Sequence, residues 1–307
     1  MVKVSVIIPN YNHGCYLNQR IDSVLNQTYK DFEIIILDDC SPDNSREIIE
    51  EYRGYDKVSK IVFNANNSGS TFKQWQKGIN LANGEYIWIA ESDDWCEPTL
   101  LETLMNGLLE NKNVGIAFCQ SCYYYETNKI KETTYYPYYA NTENGRLFIQ
   151  RYMLKGNNVV NASMAVWKKE LYNKIDLEFT QFKFCGDWLF WISLMQLSDV
   201  FVSGKVLNYF RNHSKDVSTK FYSTGNNIIE NIELYRILRR RNIIESTQYE
   251  SLLKRQYVSF LGVKNFIQQS NVVNIYNAFK ENSNLNMFYR AYYDLKNKFF
   301  VLRQLIP

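Results

Sequence analysis

No apolar run in the 307-residue chain approaches the roughly 20 residues needed to cross a bilayer. The stretch nearest the N-terminus, Val4 to Ile8, stops at Pro9 and is too short for the apolar region of a secretory signal. A cytosolic chain is therefore expected. Six cysteines stand at 15, 40, 96, 119, 122 and 185; only Cys119 and Cys122 have a metal-like spacing, with no second pair or suitable His to complete four ligands. They read as reduced thiols. There is no G-x-x-x-x-G-K-[ST] loop and no G-x-G-x-x-G turn, so neither an ATPase nor a dinucleotide dehydrogenase is supported. Histidine occurs only twice, repeats and low-complexity segments are absent, and phosphate recognition would have to rest on a metal and scattered cations.

What is present is an ordinary globular composition, 46% hydrophobic, with aromatics at 16% supplied by 24 Tyr and 18 Phe. That content suits a bulky core and also suits sugar-facing surfaces. The net charge of +3 is unevenly placed: residues 221–307 hold 12 Lys and Arg against 6 Asp and Glu, while the first 220 hold 23 against 26. A basic tail behind a slightly acidic body is a candidate for peripheral contact with an anionic membrane surface at the inner membrane face, or simply a solvated helical face. No nucleic-acid motif accompanies the charge, so nucleic acid is not an expected partner.

Strands and helices alternate through the first half. Val4–Pro9, Phe32–Leu37, Lys60–Phe63, Tyr86–Ala90 and Val114–Cys119 are apolar and rich in β-formers. Leu17, Ile21, Val24 and Leu25, then Ile48, Ile49 and Tyr52, then Phe72, Trp75, Ile79 and Ala82 recur at helical spacing between them. Ser41-Pro42 reads as a helix cap followed by Pro at the first helical position. This order predicts right-handed crossovers and a mostly parallel sheet covered on both faces. Residues 123–144 read as a long loop or irregular hairpin, 159–167 and 200–210 as further strands, and Lys168–Ile175 and Trp188–Leu197 as helices. From Gly225 onward the chain is helical, with Ile228, Ile232, Tyr235 and Leu238 on one stripe.

Chemistry concentrates at the predicted carboxyl ends of strands, where open α/β sheets bind ligands. The apolar run before Glu91, Asp93 and Asp94 ends in three carboxylates, a donor set for a hard divalent cation or, alternatively, a solvated loop. The first strand ends in Pro9-Asn10-Tyr11-Asn12 and the second in Asp38-Asp39-Cys40-Ser41-Pro42-Asp43. An aromatic face beside a carboxylate can hold a pyrimidine: the ring packs on Tyr11 and the carboxylate accepts its N–H.

Taken in order, V-S-V-I-I-P-N-Y-N, I-I-L-D-D-C-S-P-D, N-x-S-G (Asn66 to Gly69) and A-N-G-E-Y-I-W-I-A-E-S-D-D-W resemble the family-2 glycosyltransferases, of bacterial polysaccharide-biosynthesis type, over Val2 to about residue 219. The resemblance implies an α/β GT-A fold (1–219) with a C-terminal helical region (220–307). It also implies inverting transfer from a nucleotide-diphospho-sugar, usually a UDP-sugar, to a saccharide or lipid-linked saccharide with Mg²⁺ or Mn²⁺. On it, Pro9, Tyr11 and Asn12 line the base pocket, Asp39 contacts uracil, Asp93 the ribose or metal, and Asp94 the metal. Glu91 stands at the first acidic position of the family's D-x-D-D pattern, and Gln74-Trp75-Gln76 where many members carry A-R-N, leaving Lys73 or Lys77 for the diphosphate.

Cys185-Gly186-Asp187-Trp188 resembles the family's acidic step at the start of a helix, which implies Asp187 as the base; an N-capping Asp is the structural alternative. Asn208-Tyr209-Phe210-Arg211-Asn212-His213-Ser214 resembles its late Y-R-x-H element, implying that Arg211 meets the phosphates and His213 the metal or pyrophosphate. His13 reads as a loop histidine. Two rival readings are a binding module without catalysis and a sugar-nucleotidyltransferase. The second lacks its Gly-rich, basic loop at Asn10–Gly14.

Overall fold

β1 (Val4–Asn10) is buried along its whole length between two parallel neighbours, β2 (Phe32–Asp38) and β4 (Tyr86–Ile89). A strand covered on both faces can be apolar throughout, which is why these runs do not alternate. β3 (Val58–Phe63) adds a fourth parallel strand beside β2, and α1 (Gly14–Leu25), α2 (Ser45–Glu51) and α3 (Thr71–Leu81) make the crossovers. Parallel strands joined by crossovers end on one edge, so the segments after β1, β2 and β4 meet there, with Asn10 paired to Asp38. The structure is a computed structural model; it describes residues 2–126, 131–212 and 224–282.

Beyond β4 the sheet changes direction. β9 (Ala165–Lys168) runs antiparallel between β4 and β6 (Val114–Tyr125), and β10 (Asp199–Asn212) lies parallel to β6. β5 (Trp95–Cys96) and β8 (Ala140–Glu143) pair with β10, and β7 (Lys131–Thr133) with β6. The strand order is β3-β2-β1-β4-β9-β6-β10-β5. Parallel ladders hold four to ten residue pairs and antiparallel ones two to four. α4 (Leu100–Glu110) precedes β6; α5 (Gly145–Phe148) continues into a π-helical turn, Ile149–Met153; α6 (Gly186–Met195) precedes β10.

The irregular hairpin expected over 123–144 is present, as β6 pairs antiparallel with β7, and three other local expectations change. The stretch 123–144 holds the end of β6 together with β7 and β8, because its Tyr and Thr residues favour extended backbone and find partners across the sheet. Only Ala165–Lys168 of the segment around 159–167 is a strand, and Lys169–Lys174 is a 3-10 helix. Helix α2 begins at Ser45 after Asn44, not at Pro42. Ser41 is drawn instead into the turn, its hydroxyl donating to Asp38 at 2.6 Å, while Cys40 takes a left-handed φ of 62°.

Glu33 ties β1, β2 and the turn before β4 together. Its buried carboxylate accepts from the Ser5 hydroxyl at 2.6 Å and from the Asn83 amide N–H at 2.8 Å. Gly84 approaches so closely that a Cβ there would stand 2.6 Å from the Ser5 nitrogen, which explains the Asn-Gly pair. Burial acts to raise the Glu33 pKa, but the hydrogen bonds from Ser5 and Asn83 outweigh it and the pKa is lowered. The stabilisation is thus complete above the ordinary glutamate range, near pH 4.3 or about that value, and is lost as pH falls through the depressed folded value. Glu33→Ala is expected to cost about 1–3 kcal/mol at pH 7, with a smaller difference at pH about 3; urea unfolding at both pH values measures it.

The chain divides into two compact units, Met1–His213 and Ser214–Pro307. In the second, α7 (Asn226–Arg240), α8 (Ser246–Val263) and α9 (Gln269–Asn282) follow one another. Ile228, Ile232, Tyr235 and Leu238 are buried as the stripe requires. Glu245 and Gln248 form a reciprocal capping box at the start of α8. Among the described residues no helix is long and apolar enough to cross a membrane. The basic tail beyond Asn282 lies outside the described residues.

Candidate active site

The loops after β1 and β2 are laced together. Asn10 donates through its side-chain amide to Asp38 at 2.8 Å and to Ser41 at 3.1 Å. The Asn12 N–H donates to the Ser41 hydroxyl at 2.9 Å, and Asn12 adopts a φ of 58°, a conformation Asn tolerates. Between them Tyr11 is 48% exposed at the end of β1.

Asp39 is buried, and its carboxylate accepts from Asn64 Nδ2 at 2.6 Å, Ser68 N at 2.9 Å, Ser68 Oγ at 2.7 Å and Gln74 Nε2 at 2.9 Å. The Asn66–Gly69 loop is therefore folded around this carboxylate, with Gly69 supplying a left-handed turn at φ 69°. Lys73 donates to the Ser68 carbonyl at 3.2 Å, and Lys77 to the Asn64 side-chain oxygen. Pro9, Tyr11, Asn12, Asp39 and Lys73 thus share one edge of the sheet.

The acidic cluster stands on the same edge after β4. Glu91 accepts the Trp75 indole N–H at 2.8 Å, and its pKa is pushed up to about 8 by burial and then by the neighbouring Asp93 charge. Asp94 is fully buried: it accepts from Ser163 Oγ at 2.6 Å and from the Arg211 backbone N–H at 3.1 Å, and lies 3.9 Å from the Arg20 guanidinium. Burial and then the Asp93 charge push its pKa up to about 7. Asp93 is half-buried, and its carbonyl accepts from Arg211 Nε at 2.8 Å.

Arg211, expected at the phosphates, is held here by partners within the chain. Its guanidinium donates to Asp93 O, Glu126 and Gln19, and stacks 4.5 Å from Tyr16 and 4.6 Å from Trp95. Reaching a phosphate would break the Glu126 and Gln19 bonds, so in this arrangement it fastens the Asp93–Asp94 segment to β10. His213 and Ser214 lie outside the described residues. His13 Nδ1 stands 2.9 Å from the Ser92 hydroxyl, beside the acidic cluster.

Asp187 occupies the first turn of α6, one residue inside the helix rather than at its cap, which is Cys185. Its carboxylate accepts the Trp188 N–H at 2.7 Å and Asn157 Nδ2 at 2.9 Å. Gly186 lets this helix start press against the Phe179 carbonyl and the Phe72 ring, where a Cβ would clash. Further along α6, Phe190 and Trp191 pack on Trp75 at 5.8 and 6.2 Å between ring centroids. The helix bearing Asp187 is therefore braced against the residue that holds Glu91.

Three residues escape the sequence reading. Arg20 is fully buried and donates to the Glu91 carbonyl at 2.9 Å. Its signal was its place on the apolar stripe of α1, beside Leu17, Ile21 and Val24, where a charge needs a buried partner. Ser163 also receives the Glu91 N–H at 3.0 Å, from a 3-10 turn with no periodic signature. Asn157 had no signal beyond its polarity.

Among the described residues no three His, Cys, Asp or Glu side chains converge as a ready metal cage. The donor chemistry nevertheless fits a hard cation: the acids are all oxygen donors, and the raised pKa values of Glu91 and Asp94 come first from burial and then from the Asp93 charge, the part that a divalent cation would relieve. Mg²⁺ sites built from one or two carboxylates plus substrate phosphates have this form.

A parallel sheet carrying an aromatic ring, a clasped carboxylate and an acidic cluster on its carboxyl edge, extended by an antiparallel strand, is the GT-A class of fold. Residues 5–175, more than half the chain, match the family described as glycosyl transferase family 2. The chain belongs to that family. It is 40% identical over 138 residues, 44% of its length, to an uncharacterized glycosyltransferase of Haemophilus influenzae. It is 38% identical over 117 residues, 37% of its length, to the poly(ribitol-phosphate) beta-N-acetylglucosaminyltransferase TarP of Staphylococcus aureus. The matched segments span 53% and 35% of those relatives, about half their length or less. The crystal structure of S. aureus TarS 1-349 in complex with UDP-GlcNAc superposes with a TM-score of 0.71 at 19% identity, over 90% of this chain and 80% of that one.

Proposed function

We propose that the protein transfers a sugar from a nucleotide-diphospho-sugar, foremost a UDP-sugar, to a saccharide or lipid-linked saccharide acceptor in polysaccharide biosynthesis, with inversion at the anomeric carbon. The observation that carries this reading is the meeting of Tyr11 and Asp39 with Asp93 and Asp94 on one sheet edge. The base packs on Tyr11 and directs an N–H to Asp39, whose orientation four donors already fix. Asp93 and Asp94 would hold Mg²⁺ or Mn²⁺, which would supply positive charge for the diphosphate leaving group. Lys73 adds positive charge at the neighbouring helix start. Asp187, held by Asn157, takes the proton of the attacking hydroxyl. One base on the face opposite the leaving group is what inversion requires. The named chemistry of TarP and the UDP-GlcNAc in the TarS structure support a UDP-linked, N-acetylhexosaminyl or hexosyl donor.

Calorimetric titration with UDP, CDP, GDP and dTDP, with and without Mn²⁺, tests the donor half. UDP is expected to bind at least about tenfold more tightly than the purine nucleotide, a difference of about 1.4 kcal/mol, and to need the metal. Failure of every nucleotide to bind would reject the reading.

A further inference from the structure

The segment between β7 and β8 links two strands of the sheet, since β7 pairs with β6 and β8 with β10. It is a strap fixed at both ends. At its start Thr134 N donates to Ser121 O at 2.8 Å, and the Ser121 N–H returns a bond to Thr134 Oγ1 at 2.8 Å. At its end Gly204 N donates to Tyr139 O at 2.7 Å. Gly204 has no room for a side chain there, because a Cβ would meet the Tyr138 carbonyl. Midway, buried Tyr136 donates its hydroxyl to Glu143 at 2.7 Å.

This anchored strap nevertheless turns three rings outward: Tyr135 is 80%, Tyr138 55% and Tyr139 76% exposed. Tyr138 is the outer end of an aromatic ladder that rises from the sheet core through Phe118, Phe148, Tyr152 and Tyr136, with neighbouring centroids 4.7 to 6.2 Å apart. Tyr139 is steadied by the Lys205 ammonium 5.5 Å from its ring centre. Tyr138 and Tyr139, held this way, lose little conformational freedom on binding.

A chain of buried hydrogen bonds joins the base of the strap to the active site. Thr134 sits on Ser121, whose hydroxyl accepts from buried Asn208 at 2.9 Å. Asn208 leads through Asn161, at 3.4 Å, to the turn whose Ser163 bonds Asp94.

We infer that Tyr135, Tyr138 and Tyr139 form a saccharide-binding platform that holds a distal stretch of the acceptor chain, several sugar units from the reacting hydroxyl. Rigid phenol rings suit that ligand: the flat face takes the C–H side of a pyranose while the hydroxyl bonds its rim. Flexible aliphatic side chains, which would suit the core of a protein interface, are not what the strap presents. The inference rests on the glycosyltransferase reading above.

The test is a glycan microarray of bacterial-type oligosaccharides probed with the fluorescently labelled full chain. Three proteins are compared: wild type, Y135A/Y138A/Y139A and Y135F/Y138F/Y139F, with UDP calorimetry on the same samples. The substitutions fall on exposed rings, so UDP binding is expected to be unchanged in all three. The wild type is expected to bind at least one glycan of four or more sugars. The alanine variant should lose that signal by about tenfold or more, and the phenylalanine variant should keep most of it, since ring stacking accounts for the main contact. A blank array with intact UDP binding overturns the platform and leaves the donor reading standing, whereas loss of both removes the reading beneath it. A glycan signal that the alanine variant retains also overturns it. So does a dimer in light scattering that the alanine variant abolishes, which would assign the rings to a second copy of the chain.

Discussion

Asp187→Asn is expected to lower turnover by about a thousandfold, within the range that a positioned proton acceptor contributes, while leaving the dissociation constant for UDP within about twofold. The substitution keeps the shape of the side chain and its acceptance of the Trp188 N–H. It places an amide against Asn157 Nδ2, but the Asn157 side chain can turn over to offer Oδ1, which is buried without a hydrogen-bond partner. Structure is therefore preserved and basicity alone removed. Turnover comparable to wild type, measured as UDP release with acceptor present, would take Asp187 out of the role.

The second large effect is on stability. Arg20→Met is expected to destabilise the protein by about 3 kcal/mol, because removing one partner of a buried pair leaves the other uncompensated. Met fills much of the space but supplies neither the donor to the Glu91 carbonyl nor the cation near Asp94. The companion variant Arg20→Met/Asp94→Asn removes the stranded charge as well, and Asn can still accept from the Arg211 N–H. It is expected to recover about 1 kcal/mol or more relative to the single change, the coupling that neighbouring residues show. Urea midpoints in EDTA decide the matter. If the double variant is no more stable than Arg20→Met, the loss comes from the Glu91 carbonyl bond and packing and not from the Asp94 charge.

The N-terminal half of the fold was legible because each element carries its own periodic signal. Val4–Asn10, Phe32–Asp38 and Tyr86–Ile89 are unbroken apolar runs, and the stripes of α1 and α3 have helical spacing. The motifs at their ends were legible for the same reason: once strand directions are known, Tyr11, Asp39, Asp93 and Asp94 must share an edge. What could not be read depends on partners distant in sequence. β9 is only four residues long and takes its place from β4 and β6 on either side. The ring partners of Arg211 could not be read either: Tyr16, Trp95 and Tyr124 close around it, 4.5 to 5.6 Å away, from distant parts of the chain. Lys73 and Lys77 likewise had their loop partners hidden from sequence, because the 64–69 segment is shaped by a carboxylate on another strand.

The reversed strand β9 also has a bearing on how such enzymes could be recombined. Because it starts where β4 stops, the chain up to Trp95 meets the chain after Asn161 across the β4–β9 ladder, the rings of Trp75 against Phe190 and Trp191, and bonds such as Ser163 to Asp94 and Arg211 to Asp93. A cut in α4 separates two contiguous stretches of sequence, one bearing Tyr11 and Asp39, the other bearing the tyrosine strap and Asp187. On the proposed roles, hybrids joined there between relatives that keep this whole seam, ladder and ring contacts included, are expected to take donor and acceptor preference from different parents.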